Sequence, residues 1–303
     1  MNDIFDDNLF DLNGGSMDAD SEFIPLITQE EEDDMHNAEY PTDIPILALR
    51  NNVLFPGVVI PITVGRDKSI KLVQHANEND KIVGVVSQKN QEIEEPEFKD
   101  LHKVGTVAQI VRMLKMPDGS TTVIIQGKRR FQLQDLVQEE PFLRANVKFF
   151  KEEKAPKRSK EFTAIIQSMK ELALKIIKDS PNIPSEAQFA IKNIESPSFL
   201  INFISSNMNA DVAKKQSMLE ETDLKKRAMA VLEHLTLEAQ QLEMRNEIQT
   251  RVKTDIDKQQ REYFLHQQMK TIQEELGGGS QDQDVSDMRL RAKKKKWNKE
   301  VNK

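Results

Sequence analysis

Apolar and polar residues alternate one for one along "PFLRANVKFF". Leu143, Ala145, Val147 and Phe149 fall on one side and Arg144, Asn146 and Lys148 on the other, the period of a half-buried strand. The short runs "IPILALRN", "GVVIPITV" and "KIVGVVSQ" predict three further strands, with "RDKSIKLVQHA" a short helix between the second and third. "VAQIVRML" and "TTVIIQG" flank "KMPDGS", where Pro117 presets φ, Asp118 supplies a side-chain acceptor and Gly119 permits unusual φ. These segments predict a β-hairpin. Residues 44–150 are therefore expected to form a small, mainly antiparallel β domain.

Beyond residue 150 the apolar period lengthens, and no glycine occurs between Gly127 and Gly277. "SKEFTAIIQSMKELALKIIKD" carries apolar residues at helical spacing, and Ser196 before Pro197 supplies a cap and a first-turn proline. Residues 151–222 thus predict a helical subdomain. Asp223 to Leu276 contains neither Gly nor Pro. As one connecting helix it would extend roughly 80 Å, too long for a domain of about 13 Å radius of gyration to cover. Met244, Ile248, Val252 and Ile256 recur every four residues as a narrow, winding apolar edge, while Glu247 with Arg251 and Asp257 with Arg261 pair across one turn. Further on, Leu265, Met269, Ile272 and Leu276 make a broader face with Tyr263 and Phe264 beside it. That face either packs on its own chain or docks on a neighbouring domain or subunit. Gly277 to Gly279 read as a stop and a flexible joint, leaving 277–303 as linker and a further helix. The predicted class is α+β: a small β domain, a helical bundle and a very long α-helix.

Charge changes the picture at the start of the chain. Of the 303 residues, with net charge −7, the first 49 hold 14 Asp and Glu and no Lys or Arg. Residues 1–43 therefore read as an acidic disordered tail, either a solvated leader or a partner-binding segment. Cysteine is absent, which excludes disulfides and thiolate chemistry and fits a reducing, cytoplasmic setting. No basic signal-peptide region and no apolar run of about 18 residues is present, so no membrane contact is expected. The clusters Lys128–Arg130 and Arg289–Lys296 read as solvated faces or as a weak, salt-sensitive contact with DNA.

Catalytic patterns are missing. A P-loop needs G-x-x-x-x-G-K-[ST], whereas the only Gly-Lys pair, Gly127–Lys128, has Thr122 in place of the first glycine and Arg129 in place of the hydroxyl. His36, His75, His102, His234 and His266 lack metal-binding spacing. Asp18, Asp20 and Glu22 begin like a calcium loop, but Phe23 replaces its glycine. Ser159 beside Lys160 has no oxyanion-hole context. No metal, cofactor or catalytic residue is assigned.

"QQREYFLHQQMKTIQEELG" resembles the helix leading into the ATPase module of the Lon family of ATP-dependent proteases. "LALRNNVLFPGVVIPITVGRDKSI" resembles the start of that family's N-terminal domain, and "SMLEETDLKKRAMAVLEHLTLEAQQLE" sits where its long helix begins. The resemblance runs from about Ile44 to the last residue. It implies the substrate-recognition and assembly region of a protease that degrades misfolded or regulatory proteins in a hexamer, using ATP and Mg and a Ser-Lys dyad. Neither the P-loop ATPase nor the dyad lies in this sequence, so this chain is expected to be non-catalytic and without cofactor. In "RLRAKKKKWNKEVNK", Leu290, Trp297 and Val301 share a helical face, which the resemblance places at the start of the ATPase module. The resemblance further implies unfolded or damaged proteins as partners. On the apolar residues themselves, Phe55, Pro56, Val58 and Val59 read as a docking surface and a candidate substrate contact, although "GVVIPI" also reads as core. Tyr263, Phe264, Leu265, Met269, Ile272 and Leu276 are the candidate inter-domain or subunit contact. The alternative class is a stand-alone adaptor or scaffold.

Overall fold

The computed structural model describes residues 28–116, 120–151, 159–180, 183, 186–275 and 278–295. Two of its strands explain the continuous apolar runs. β1 (Asp43–Leu49) and β3 (Ile82–Ser87) pair in parallel, Ile46 opposite Gly84 and Leu49 opposite Ser87. Leu47 and Leu49 enter one apolar cluster and Ile44 and Ile46 another. A strand covered on both faces has no polar side to show, so its sequence loses the two-residue alternation. β6 (Arg144–Phe149) keeps it: Ala145 and Val147 are buried while Asn146 and Lys148 are exposed.

The other strands are β2 (Val59–Val64), β4 (Val104–Lys115) and β5 (Thr121–Gln138). The sheet order is β2-β5-β4-β3-β1-β6, and β5 also pairs with β6, which closes the second half of β5 into a barrel. Every pairing except β1 with β3 is antiparallel. The predicted hairpin joins β4 to β5, and the Met116 amide donates to the Ser120 carbonyl at 2.9 Å. Its turn residues Pro117 to Gly119 lie outside the described residues. The predicted short helix is α2 (Asp67–Glu78), which buries Leu72, Val73 and Ala76 against the sheet.

The helices are α3 (Lys160–Asp179), α4 (Glu186–Asn193), α5 (Pro197–Asn207) and α6 (Val212–Glu220), followed by α7 (Leu224–Glu275). Ser159 and Ser196 cap α3 and α5 by accepting the Phe162 and Phe199 amides, each at 3.2 Å. α5 is buried from Phe199 through Ser206, the all-round burial of a central helix. α7 buries Leu224, Ala228, Val231, Leu235 and Ala239 at spacings of three and four, with Arg227 beside Ala228.

Three expectations require correction. The boundary near residue 150 is absent as a break in packing, because one cluster holds Phe55, Ile60 and Ile125 of the sheet region together with Phe162, Leu200 and Val231 of the helices. The division into compact units falls instead between Leu242 and Glu243, within α7. The acidic segment is ordered in its latter part: α1 (Gln29–Asn37) starts on a reciprocal capping box between Thr28 and Glu31 and buries Met35. Residues 1–27 lie outside the described residues. Finally, α8 (Gly278–Lys294) begins inside the glycine run expected to form a joint.

Candidate binding surfaces

The segment "NVLFPGV" joins β1 to β2 and carries the predicted substrate contact. Phe55 and Val58 are buried, as is Pro56, and Val59 is half-buried. Its carbonyls are claimed by distant donors: Thr106 Oγ1 to Leu54 O at 2.6 Å, Ser87 Oγ to Asn52 O at 2.7 Å and Asn202 Nδ2 to Pro56 O at 3.1 Å. Arg227 Nη1 in turn donates to Asn202 Oδ1 at 3.0 Å. Gly57, at φ 82°, donates to the Gly127 carbonyl at 2.9 Å. As packed, Phe55, Pro56 and Val58 present no surface to a passing polypeptide. They join sheet to helices, because burying an irregular segment requires partners for its backbone groups, and Thr106, Ser87 and Asn202 supply them.

In the cluster Lys128–Arg130, Arg130 is buried and Lys128 and Arg129 are half-buried. Arg130 is 1% exposed, donates from Nη1 to Leu219 O at 2.7 Å and Glu221 O at 2.8 Å, and stacks over Phe150. Arg129 donates to Phe150 O and lies over the Phe149 ring. Burial lowers the pKa of Lys128, which donates to Gln126 Oε1. Side-chain placement decided this, since three consecutive bases on a strand read the same whether they face water or a carbonyl-lined seam. In α8, Arg289 and Arg291 are exposed.

From Glu243 onward α7 shows the opposite character. Met244, Ile248, Val252 and Ile256 are exposed, as are Tyr263, Phe264, Leu265, Met269 and Ile272. Tyr263 is 72% exposed. Leu276, the last residue of that predicted contact, lies outside the described residues.

Titratable groups gather where α6 meets α7. Lys215 Nζ donates to Ser206 O at 2.8 Å, and burial lowers its pKa. Burial raises the Glu238 carboxyl, with His234 3.9 Å away and His234 Nε2 itself 3.0 Å from Asn209 O. His102 lies 3.7 Å from Glu220 on another face, and burial lowers its pKa despite that carboxylate. Among the described residues no three His, Cys, Asp or Glu side chains cluster to hold a metal ion, and no helix is long and apolar enough to cross a membrane.

A surface missed by pattern reading lies between β1 and β2. A cleft of about 290 Å³ is lined by Leu47 to Arg50, Ile62 to Arg66 and Ser69. Among the described residues β2 pairs only with β5. Pro61 was the available signal, because proline inside a strand marks an edge. Arg66 donates to Gln88 Oε1 at 2.9 Å and more weakly to Ala48 O at 3.5 Å, and its pKa is lowered by burial and by the neighbouring Arg50 charge.

Comparison with known proteins matches residues 43–236 to the model of the ATP-dependent protease La (LON) substrate-binding domain. Lon protease of Flavobacterium johnsoniae is 59% identical over 94% of this chain and 35% of its own length. Lon protease of Cytophaga hutchinsonii is 52% identical over 92% of this chain and 34% of its own. The chain thus spans about a third of the length of these curated relatives. The solved N terminal domain of Mycobacterium avium complex Lon protease aligns with a TM-score of 0.53 at 19% identity, covering 64% of this chain and 98% of that one, a likeness of fold. The match starts at the first residue of β1 and ends in the packed portion of α7, and on it the chain belongs to the Lon protease family, through that family's substrate-binding domain.

Proposed function

We propose that this chain is the N-terminal substrate-recognition and assembly region of a Lon-type ATP-dependent serine protease that degrades misfolded or regulatory proteins, and is itself non-catalytic. One observation carries the reading. The substrate-binding-domain match, 43–236, coincides with the folded body from β1 to the buried part of α7. The Arg130, Asn202 and Arg227 hydrogen bonds tie strand β5 and the β1–β2 segment to the helices, while the exposed apolar positions of α7 after Glu243 suit contacts with further copies or domains. Partners on this reading are unfolded or damaged proteins, and the assembly is a hexamer. Linked copies raise the effective concentration of a bound chain, so weak contacts suffice, with gains on the order of a hundredfold. ATP and Mg serve a separate module of the parent protease.

The test is fluorescence anisotropy of the purified chain with a labelled, permanently unfolded polypeptide such as reduced, carboxymethylated lactalbumin, alongside its native form. Saturable binding of the unfolded form alone is expected, with no ATP hydrolysis or casein cleavage with or without magnesium. Equal affinity for both forms, or turnover that follows the protein through purification, would overturn the reading.

A further inference from the structure

Gly127 donates to the Val58 carbonyl at 2.9 Å and accepts from the Gly57 amide at 2.9 Å, so the Val58 carbonyl faces β5. Bonded positions in an antiparallel ladder alternate, so Ile60, Ile62 and Val64 face β5 and Val59, Pro61 and Thr63 turn their backbone groups outward. Among the described residues β2 has no second neighbour, and the residue without an N–H, Pro61, stands on the outward side, where its loss costs no ladder bond. On β1 the same alternation holds. Gln88 donates to Leu49 O on the β3 side and Ile46 donates to Leu143 O on the other, so Ala48 faces away from β3.

Ala48 and the outer edge of β2 thus border one cleft of about 290 Å³, near the lower end of ligand-pocket volumes, about 300 Å³. Its lining is apolar at Leu47, Ile62 and Val64 and carries two guanidiniums, Arg50 and Arg66, with no carboxylate. Glu95, Glu97 and Glu139 line an adjoining cavity that shares Ala48, Arg66 and Ser69 with the cleft, and the Glu94 and Glu95 charges reach Arg66 from that side. Gln88, fully buried, accepts from Arg66 and donates to Asn90 O and Ile93 O, which aims the guanidinium. A strand edge unpaired among the described residues selects an extended backbone, the apolar lining selects small aliphatic side chains, and the exposed Arg50 with Arg66, on a lining that holds no carboxylate, selects a carboxylate.

We propose that this cleft binds an extended segment of a partner polypeptide in which acidic and aliphatic residues alternate, added as a strand along the outer edge of β2 with a carboxylate held by Arg50 and Arg66. The proposal rests on the substrate-recognition reading and names the chemistry of the segment recognised.

The probe is a fluorescein-labelled, end-blocked octapeptide alternating valine and glutamate. A second octapeptide has lysine for glutamate, and a third has N-methylated backbone at alternate residues. The first is expected to bind and to perturb the Val59 and Thr63 amide resonances. Arg50→Glu, at an exposed side chain, weakens it at least tenfold and improves binding of the lysine peptide. Arg66→Gln weakens it similarly, and the N-methylated peptide does not bind. An affinity within twofold of wild type in Arg50→Glu, or equal binding of the N-methylated peptide, overturns the proposal. Binding that emerges only after deletion of residues 1–27 assigns the cleft to the chain's own acidic leader and also overturns it. If unfolded lactalbumin binds and the octapeptide does not, the cleft proposal fails while the substrate-recognition reading stands; if neither binds, both fail.

Discussion

Arg130 shows how one side chain joins elements far apart in sequence. Its guanidinium sits on β5 and caps the carbonyls of Leu219 and Glu221, at the end of α6 and just beyond it, roughly ninety residues later. Hydrogen bonds from a charged group are each worth about 1.5–3 kcal/mol, and removing the donor strands buried acceptors. Arg130→Met keeps much of the volume, so urea denaturation is expected to show a loss of about 3 kcal/mol, with a fall in Tm of about 6–12 °C. A loss under about 1 kcal/mol would mean that water replaces the guanidinium. Gly127 constrains the same seam differently. A Cβ there would collide with the Phe55 carbonyl, so Gly127→Ala is expected to cost about 1–3 kcal/mol and to shift the Phe55 and Gly57 amide resonances.

At the scale of elements, α1 and the α6–α7 junction carry separate predictions. The acidic composition of residues 28–38 argues for a solvated segment, yet Thr28 and Glu31 nucleate a helix that places Met35 against the main core. Deleting the chain through residue 38 is therefore expected to cost about 2 kcal/mol, the lower range for losing a buried methionine, measured by denaturant titration against a deletion ending at residue 27. Glu238 is half-buried beside His234 and Lys215, and its partial burial raises its pKa above the usual 4.5. A raised folded pKa means that the folded state binds the proton more tightly. The favourable contribution is present below about 4.5 and is lost as pH rises through the folded value. Glu238→Gln removes that dependence. Wild type should lose stability relative to the variant as pH rises from about 4.5 towards neutrality, as thermal melts across that range would show; a constant difference would refute the assignment.

For the whole molecule, the decisive feature is that α7 changes environment along its length. Its earlier turns are core, and its later turns expose Met244, Ile248, Val252, Ile256 and then Leu265, Met269 and Ile272. The four-residue spacing of the first set follows an i±4 ridge, the ridge that interlocks with its like at about −50° between crossing helices. Each such side chain contributes roughly 1.5–3 kcal/mol on full burial. Sedimentation is therefore expected to show concentration-dependent self-association. Leu265→Asp combined with Ile272→Asp should weaken it, while the body keeps its own melting transition. A wild-type chain that stays monomeric at high concentration, with a double mutant that unfolds the body, would show instead that this face is core.

Short-range chemistry was legible in the sequence alone: the strand periods of β6 and α3's apolar stripe, the Ser196–Pro197 start of α5, the continuity of α7 and the absence of phosphate-loop and metal-ligand patterns. Each depends on neighbours within a few residues, where the chain's own geometry sets what a side chain meets. What Phe55, Arg130 and Arg66 do was settled only by tertiary structure. Their surroundings come from Asn202, Leu219 and Gln88, residues tens to nearly a hundred and fifty positions away. Apolar pattern distinguishes a buried face from an exposed one, but a loop of consecutive apolar residues reads alike as docking surface and as core. A buried carbonyl must find a donor wherever the fold brings one, and that requirement decided between the two here.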